Sequence, residues 1–153
     1  MIRRADIEDI PRIMDLLGQV DMVHFRSRPD IFKPNTTKYT EQELCAIMAD
    51  DNTPIYIYDD GDVKGYVFAQ VLEMKNDRLL QDRKTLYIDD LCVDEAARGK
   101  HIGSQLFEFI RDYAQSIGCQ AITLNVWEGN DTAQAFYLQR GMRAQKTYME
   151  LKV

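Results

Sequence analysis

The sequence contains few of the residues from which disulfide frameworks and metal sites are built. Only three cysteines and two histidines occur among its 153 residues. Cys45, Cys92 and Cys119 are odd in number and widely spaced, which suits neither a set of paired disulfides nor a zinc site. Each cysteine lies in an apolar stretch, so we expect buried, unreactive thiols and no bound metal.

Long apolar runs are also absent. No stretch approaches the roughly 20 residues that a helix needs to cross a bilayer, and the arginines near the start are not followed by the apolar segment of a signal peptide. We therefore expect a cytoplasmic protein without a membrane partner. A hydrophobic share of 45% and a charged share of 29% indicate one globular domain, residues 1–153, with one core.

An excess of positive charge is missing too. The formal net charge is −6, whereas proteins that bind nucleic acids are normally basic because they neutralise phosphates. We therefore expect no nucleic-acid partner. Residues 1–75 carry 9 basic and 14 acidic side chains, and residues 76–153 carry 10 and 11. The acidic first half either attracts a cationic substrate or serves as a solubilising surface.

The first half of the chain alternates between strand and helix patterns. Asp6 is placed to cap a helix that ends at Gly18, and Thr40 with Glu43 forms a capping box for a second helix. An irregular segment, Val20–Tyr39, separates the two helices and has the character of a functional loop. The predicted strands of this half are Ile2–Arg4 and a hairpin of Ile55–Tyr58 with Val63–Met74.

The strand pattern at Leu86–Val93 changes phase in its middle. Leu86 and Ile88 share one face by alternation, but Leu91 and Val93 have the opposite parity. A strand that keeps one buried face needs an extra residue to do this, which predicts a β-bulge near Asp89 and Asp90. The alternative is a strand with two apolar faces.

The remaining elements complete a mixed α/β fold. We predict a loop at Asn76–Lys84, helices at His101–Ile117 and from Asp131 to Arg140, and strands at Ala121–Trp127 and Thr147–Leu151. Helix and strand patterns that alternate in this way favour a mixed, mostly antiparallel central sheet with helices on both faces.

The junction between the bulged strand and the helix at His101–Ile117 has the features of a diphosphate site. A helix start presents unpaired N–H groups at the positive end of the helix dipole. Gly99 and Gly103 allow close approach of an anion, and Arg98 and Lys100 add positive charge. The segment matches neither the dinucleotide motif G-x-G-x-x-G nor the P-loop.

This junction resembles the acetyl-CoA signature of the GCN5-related N-acetyltransferase (GNAT) family, R/Q-x-x-G-x-G/A, at Arg98–Gly103. His101 stands where the family usually has glycine, so either unusual backbone angles or a slightly displaced diphosphate is expected there. A second family signature follows at Asn125–Asn130, with Ala133, Phe136-Tyr137 and Gly141-Met142 after it. The resemblance covers residues 86–142, and the preceding elements occur in the family's order.

The resemblance implies that two strands splay apart to admit acetyl-CoA as co-substrate. The pantetheine arm would bond to the backbone of Leu91, Cys92 and Val93, with Asn130 and Ala133 beside it. Tyr137 would protonate the leaving thiolate. The diphosphate would be held by the N–H groups of Arg98, Gly99, Lys100, His101, Ile102, Gly103 and Ser104.

The residues that handle the acceptor amine are predicted less directly. Asp89 at the bulge is the first candidate for general base, and Asp90 is the second; Asp90 and Tyr87 are also candidate substrate contacts. In this family the region after the first helix lines the acceptor pocket, which adds His24, Arg28 and Phe32 as candidates. The alternatives are solvated carboxylates, a structural histidine and core aromatics.

The predicted function is transfer of acetyl from acetyl-CoA to the primary amine of a small molecule or a peptide N-terminus. Two alternatives remain open: an acyl-CoA-binding sensor or structural module that does not turn over, and a general nucleotide-binding module. A homodimer is a further expectation from the resemblance.

Overall fold

The computed structural model describes all residues, 1–153, and has five strands and four α-helices. The strands are β1 (Ile2–Arg4), β2 (Ile55–Asp59), β3 (Val63–Met74), β4 (Arg83–Val93) and β5 (Ala121–Thr123). The helices are α1 (Ile10–Ser27), α2 (Glu41–Ala49), α3 (Ile102–Ser116) and α4 (Asp131–Gln139). None of the helices combines the length and apolar character needed to cross a membrane.

The five strands form one sheet in the order β1-β2-β3-β4-β5. Neighbours are antiparallel except for β4 and β5, which are parallel. Tyr66 and Phe68 pack with α1 and α2, while Val67 and Ala69 pack with α3. Because successive strand residues point to opposite faces, helices cover both sides of the sheet. The predicted mixed, mostly antiparallel fold is confirmed.

Helix α1 is longer than the pattern predicted. Asp6 caps a 3-10 turn at Ile7–Asp9, and the α-helix that follows continues through Gly18 to Ser27. The expected end at Gly18 is wrong because an interior glycine costs a helix only about 1 kcal/mol, and Val20 beyond it still packs on the core. The irregular segment is therefore shorter than the predicted Val20–Tyr39.

The predicted bulge lies in β4 where the parity changes. Ala69 pairs with Ile88 and Phe68 pairs with Asp90, so Asp89 is the extra residue. Leu91 consequently packs on the same side of the sheet as Leu86. The predicted loop at Asn76–Lys84 is too long by two residues at its end, because β4 begins at Arg83 and pairs there with β3.

Strand β5 is much shorter than the predicted Ala121–Trp127. It pairs with β4 only at Thr85, Leu86 and Tyr87, although β4 continues to Val93. After the third pair, the segment that follows β5 separates from β4, just before the bulge changes the direction of β4. The expected splayed strand pair is thus confirmed, and its opening begins beside Asp89.

The end of the chain differs from prediction in two respects. Asn130, not Asp131, is the N-cap of α4, since its side chain accepts a hydrogen bond from the N–H of Ala133. Gly141 follows the helix with φ of 89°, as its C′ position requires. The strand predicted at Thr147–Leu151 is absent, because no neighbouring strand of the chain pairs with this segment.

The cysteines also differ from expectation in one case. Cys92 is buried in the core and Cys119 is half-buried, but Cys45 is exposed on α2. Its neighbours Leu44 and Ile47 lie on the inward face of that helix. A residue in an apolar stretch is therefore not always buried.

Candidate active site

The loop that enters α3 presents an uninterrupted row of free backbone donors. The N–H groups of residues 98–104 donate no hydrogen bond within the chain, and no side chain caps the helix. Gly99 has φ of 85°, and His101 lies in the left-handed region at φ 60° and ψ 22°. The unusual angles expected at His101 are therefore present. Together with the helix dipole, this row of donors is an anion-binding cradle.

Buried contacts on both sides hold this loop in place. Asp94 caps the 3-10 turn at Glu95–Ala97 through the N–H of Ala96. Its carboxylate is bound in turn by Arg12 and by Gln19 of α1. Ala97 and Ile102 are buried against the core on either side of the loop. The cradle is thus preorganised by packing that involves none of its own N–H groups.

Three cationic side chains surround the cradle, and one of them was not predicted. Arg98 and Lys100 are exposed on the loop itself. Arg140, from the end of α4, donates to Ser104 Oγ, and its guanidinium lies 3.5 Å from the ring centroid of Phe136. Its position before Gly141 marks a helix C-terminus, but nothing in the sequence places that terminus beside Ser104.

The edge of β4 beyond Tyr87 has no strand partner on the side of β5. Residues 88–93 pair only with β3, so the other edge of Leu91, Cys92 and Val93 is open for an extended ligand. The Cys92 thiol is buried and lies 3.9 Å from the carbonyl oxygen of Leu16. Burial, with the neighbouring Asp90, raises its pKa to about 12. Cys92 is therefore an unreactive thiol whose backbone borders the opening.

The bulge directs two consecutive carboxylates to the same face of the sheet. Asp90 accepts a hydrogen bond of 2.7 Å from the Tyr66 hydroxyl, and Asp89 accepts one of 2.6 Å from the Tyr39 hydroxyl. Both tyrosines belong to the α1 and α2 side. Burial raises the pKa of Asp90 to about 6, although the hydrogen bond from Tyr66 opposes this shift. Asp90 therefore changes charge close to neutral pH.

Asp89 holds a primary ammonium group of the chain itself. Lys38 Nζ lies 2.8 Å from Asp89 Oδ1, and the Asp89 side chain is only 9% exposed. Asp89 also borders a cavity of about 330 Å³ between α2 and β3, whose wall includes Tyr39, Phe68 and the acidic Glu43. Neither Lys38 nor Tyr39 was predicted to contact Asp89, because the pairs are separated by 51 and 50 residues.

Tyr137 lies on α4 on the α3 side of the sheet. Its ring packs on Phe107 and Phe136, at centroid distances of 6.0 and 5.1 Å. Its hydroxyl makes no hydrogen bond within the chain and is not sealed from solvent, since no fully buried side-chain oxygen lacks a partner. Burial raises the pKa of Tyr137 to about 12, and the charge of Asp90 contributes to the shift. The phenol thus stays protonated at neutral pH and lies within electrostatic reach of Asp90.

The other predicted substrate residues form a separate group at the splayed end. His24 stacks on Phe32 at 4.8 Å, and Phe32 meets Trp127 edge-on at 5.3 Å. Arg28 lies 6.0 Å from the same indole. Burial lowers the pKa of His24, so its imidazole is neutral at neutral pH. None of these residues borders the cavity beside Asp89.

Tyr87 and Asn130 both have partners within the chain. The Tyr87 hydroxyl accepts from Asn125 Nδ2 at 3.1 Å, which links β4 to the segment after β5 where the two separate. Asn130 Oδ1 accepts the N–H of Ala133 as the α4 cap. The amide nitrogen of Asn130 and the second lone pair of its Oδ1 are left for a ligand, whereas the Ala133 N–H is already used.

Sequence comparison matches residues 20–142 to the acetyltransferase (GNAT) family. An uncharacterised N-acetyltransferase of Lactobacillus delbrueckii subsp. lactis is 31% identical over 83 residues, covering 54% of this chain and 47% of the relative. Glucosamine 6-phosphate N-acetyltransferase of Arabidopsis thaliana is 36% identical over 59 residues, 39% of this chain and 38% of that protein. The chain thus spans less than half the length of these curated relatives.

Comparison with solved structures finds the same fold over the whole chain. A mutant of the BH1408 protein from Bacillus halodurans has a TM-score of 0.96 at 35% identity, covering 100% of this chain and 99% of that one. The family match, the splayed β4–β5 pair and the donor cradle at α3 coincide in one region. The chain belongs to the GNAT family of acetyltransferases.

Proposed function

We propose that the protein transfers the acetyl group of acetyl-CoA to the primary amine of a small molecule or a peptide N-terminus. The observation that carries the proposal is the row of free N–H groups at residues 98–104, beside the open edge of β4 and the two carboxylates of its bulge. The names of the two curated relatives, both N-acetyltransferases, support the reaction type.

The charge and the donors of the cradle suit the diphosphate of coenzyme A. Its N–H groups and the side chains of Arg98, Lys100 and Arg140 supply only donors and positive charge. Bound acetyl-CoA would supply a thioester carbonyl to the reaction. The open backbone edge at Leu91–Val93 suits an extended arm that pairs as a strand would. Gly103 faces Phe136 and Val93, and a Cβ there would lie 3.4 Å from the Phe136 ring, so larger side chains would press on these two residues.

The acceptor amine would bind at the carboxylates of the bulge. The contact between Lys38 and Asp89 supports this, because it places a primary ammonium against that carboxylate. The acceptor ammonium would take the place of Lys38 there. Asp89 would hold the acceptor ammonium, and Asp90 would accept its proton, since a carboxylate with a pKa of about 6 is ionised at neutral pH and is a stronger base than an ordinary one. From the sequence, Asp89 is the first candidate for general base and Asp90 is the second; this proposal reverses that order.

Two donors would complete the reaction at the thioester. A backbone N–H on the open edge of β4 would stabilise the negative charge that develops on the carbonyl oxygen. Tyr137, which keeps its proton at neutral pH, would donate it to the leaving sulfur. Its hydroxyl makes no other hydrogen bond in the chain that would compete for this role.

Calorimetry with acetyl-CoA and a thiol-release assay with a panel of amines test the proposal together. Gly103→Glu should abolish binding of acetyl-CoA, because it adds bulk and negative charge at the cradle. Gln115→Glu is the matched control, since it adds the same charge at an exposed site near the other end of α3. Unchanged binding by Gly103→Glu would overturn the placement of the diphosphate.

The same assay distinguishes the sensor from the enzyme. An enzyme releases thiol with at least one amine, and release is about 10²-fold slower in Tyr137→Phe. Tight binding without release across a broad panel of amines would favour an acyl-CoA sensor.

A further inference from the structure

A primary amine of the chain occupies the position proposed for the acceptor ammonium. Lys38 Nζ lies 2.8 Å from Asp89 Oδ1, and the Tyr39 hydroxyl donates to Asp89 Oδ2 at 2.6 Å. Both oxygens of this carboxylate are therefore in use. An acceptor that binds to Asp89 has to compete with an ammonium that is tethered beside it, and a tethered group competes at a high effective concentration.

The pair of Lys38 with Asp89 differs from the other lysine–carboxylate pairs of the chain. Lys64, Lys75 and Lys152 pair with carboxylates whose side chains are at least 43% exposed. The Asp89 side chain is only 9% exposed, while Lys38 itself is 49% exposed. Pairs between two solvated groups contribute little. Lys38 is instead an accessible amine that is bound at a nearly buried acid.

The backbone next to Lys38 is fixed, so its amine stays at the bulge. Tyr39 stacks on Phe68 at a centroid distance of 5.7 Å, and its hydroxyl is bonded to Asp89. Thr40 begins α2 as its N-cap. These contacts hold the segment against the face of the sheet that carries the two carboxylates. The four-carbon stem of lysine is flexible, so Nζ can move between neighbouring positions while the backbone stays in place.

Lys38 also lies close to the group proposed as proton acceptor. Burial raises the pKa of Asp90 to about 6, and both the hydrogen bond from Tyr66 and the positive charge of Lys38 oppose this rise. Burial raises the pKa of Tyr137 to about 12, with a further contribution from the charge of Asp90. The amine, the proposed base and the proposed acid are thus within electrostatic reach of one another in that order.

We propose that the protein acetylates its own Lys38 when acetyl-CoA is bound and no acceptor occupies Asp89. This rests on the proposed function, since the same groups perform the transfer. Lys38 supplies the kind of amine that the reaction requires, and its position beside the acids makes the attack intramolecular.

The step balances without a further reactant. The Lys38 ammonium loses one proton to Asp90, and its nitrogen attacks the carbonyl carbon of the thioester. The N–C bond forms, the C–S bond breaks, and the sulfur leaves with the proton of Tyr137. The nitrogen then releases a second proton, which restores the Tyr137 hydroxyl through water. The products are N-acetyl-Lys38 and CoA.

Acetylation removes the charge of Lys38 and with it the tethered competitor. Asp89 then keeps the Tyr39 hydroxyl and has one oxygen free for the ammonium of an acceptor. Lys38→Gln, a neutral amide like acetyl-lysine, should lower the KM for the amine by about two- to fivefold, the effect of losing an ion pair of modest strength. Lys38→Arg keeps the charge and should not lower it. An unchanged KM in Lys38→Gln would contradict the competition.

Mass spectrometry of the chain and its peptides tests the modification directly. Incubation with acetyl-CoA in an amine-free buffer should place one acetyl group on Lys38 well before any appears on Lys33. Lys33 is the matched control, because it is exposed in the same segment between α1 and α2 and makes no ion pair. Lys38→Arg should lose this uptake and Lys33→Arg should keep it. Equal rates at the two lysines would reveal untargeted acetylation and overturn the proposal.

The dependence on protein concentration tests whether each chain modifies itself. An intramolecular transfer has a rate constant that does not change when the protein is diluted tenfold in saturating acetyl-CoA. A rate constant that falls in proportion to the dilution would mean that one molecule acetylates another, and acetylation within the chain would be wrong.

The amine panel separates this modification from the function on which it rests. Thiol release with an added amine, together with an unmodified Lys38 in its absence, would overturn the modification and leave acetyl transfer intact. Neither release nor modification would overturn both. Acetylation of Lys38 at a rate independent of dilution supports the proposal, whichever acceptor the panel identifies.

Discussion

Asp89 and Asp90 are adjacent in sequence, yet their carboxylates have different surroundings. Asp89 has a cation and a hydroxyl within hydrogen-bond distance, which stabilise its charge. Asp90 has only the Tyr66 hydroxyl as a side-chain partner, and burial raises its pKa to about 6. Environment therefore distinguishes the pair: Asp89 is paired with a cation, whereas Asp90 has a raised pKa.

The raised pKa of Asp90 predicts the acid limb of the rate profile. Wild-type kcat/KM should fall below about pH 6, because protonated Asp90 cannot accept the proton of the acceptor. Asp90→Asn should lack this limb and be about 10²-fold slower at pH 8. Asp89→Asn is the control and should raise the KM for the amine while keeping the limb. A limb at pH 6 that survives in Asp90→Asn would assign the proton transfer to another group.

The same residue makes a separate prediction about stability. The folded pKa of Asp90 is about 6 against a reference value of 3.8, so between these values the folded state binds more protons than the unfolded state. The contribution of Asp90 to stability therefore falls as pH rises from about 4 to 6 and is then constant. Asp90→Asn should remove this loss, stabilising the protein above pH 6 by on the order of 1–2 kcal/mol in urea unfolding. No gain at pH 8 would contradict it.

Tyr137 is expected to act on turnover and not on binding. Tyr137→Phe should lower kcat by about 10²-fold with little change in the dissociation constant of acetyl-CoA, since only a hydroxyl without a partner in the chain is lost. Tyr113→Phe removes the same group from a half-buried tyrosine that packs on Tyr56 and should leave kcat unchanged. Equal losses of turnover and affinity in Tyr137→Phe would make it a packing residue.

At the scale of elements, β4 connects the core to the site. Its first part pairs on both sides, and its second part pairs on one side only. The bulge marks this change and directs both carboxylates to one face. One extra residue thus leaves an open backbone edge and a pair of acids at the same point of the sheet.

Close packing of α3 on this sheet depends on Gly65 of β3. A Cβ at Gly65 would lie 2.8 Å from the carbonyl oxygen of Cys92 and 3.2 Å from Leu106 Cδ1. Gly65→Ala should therefore lower the free energy of unfolding by about 1–3 kcal/mol in denaturant titrations. Gly18→Ala meets nothing within 4 Å in the middle of α1 and should raise it by about 0.5–1 kcal/mol. Changes of the same sign would contradict the packing argument.

Sequence patterns correctly predicted those features that depend only on neighbouring residues in the chain. The parity change at Leu86–Val93 located the bulge, and the spacing of Thr40 and Glu43 located a capping box that the structure contains. The end of α1 was missed because packing beyond Gly18 outweighs the cost of a helical glycine. The strand predicted at Thr147–Leu151 is absent for a related reason, since a strand needs a partner that the pattern of one segment cannot provide.

The site was predictable where its parts are backbone and consecutive in sequence. The cradle at residues 98–104 needs only a helix start with glycines and cations, and a short sequence motif contains all three of these features. Lys38, Tyr66 and Arg140 were not predicted, because each meets its partner across more than 20 residues of sequence. A single sequence contains no signal for such pairs, which only the packing of the sheet and helices brings together.

At the scale of the whole molecule, the proposed ligand contacts elements that are far apart in the chain. The open edge of β4, the start of α3 and the face of α4 with Tyr137 would all meet one molecule of acetyl-CoA. These contacts exist together only in the folded state, because an unfolded chain has neither the cradle nor the open edge. Binding should therefore stabilise the entire fold.

Thermal unfolding measures this coupling. Acetyl-CoA at about 100 times its dissociation constant should stabilise the fold by about 2.7 kcal/mol, which raises Tm by about 2–4 °C per kcal/mol for a domain of this size. CoA should act similarly, because it shares the diphosphate and the pantetheine arm. ATP and NAD lack that arm and should give much smaller shifts, and Gly103→Glu should show no shift with acetyl-CoA. A shift with ATP as large as that with CoA would mean that the open edge of β4 takes no part in binding and that the cradle recognises phosphates alone.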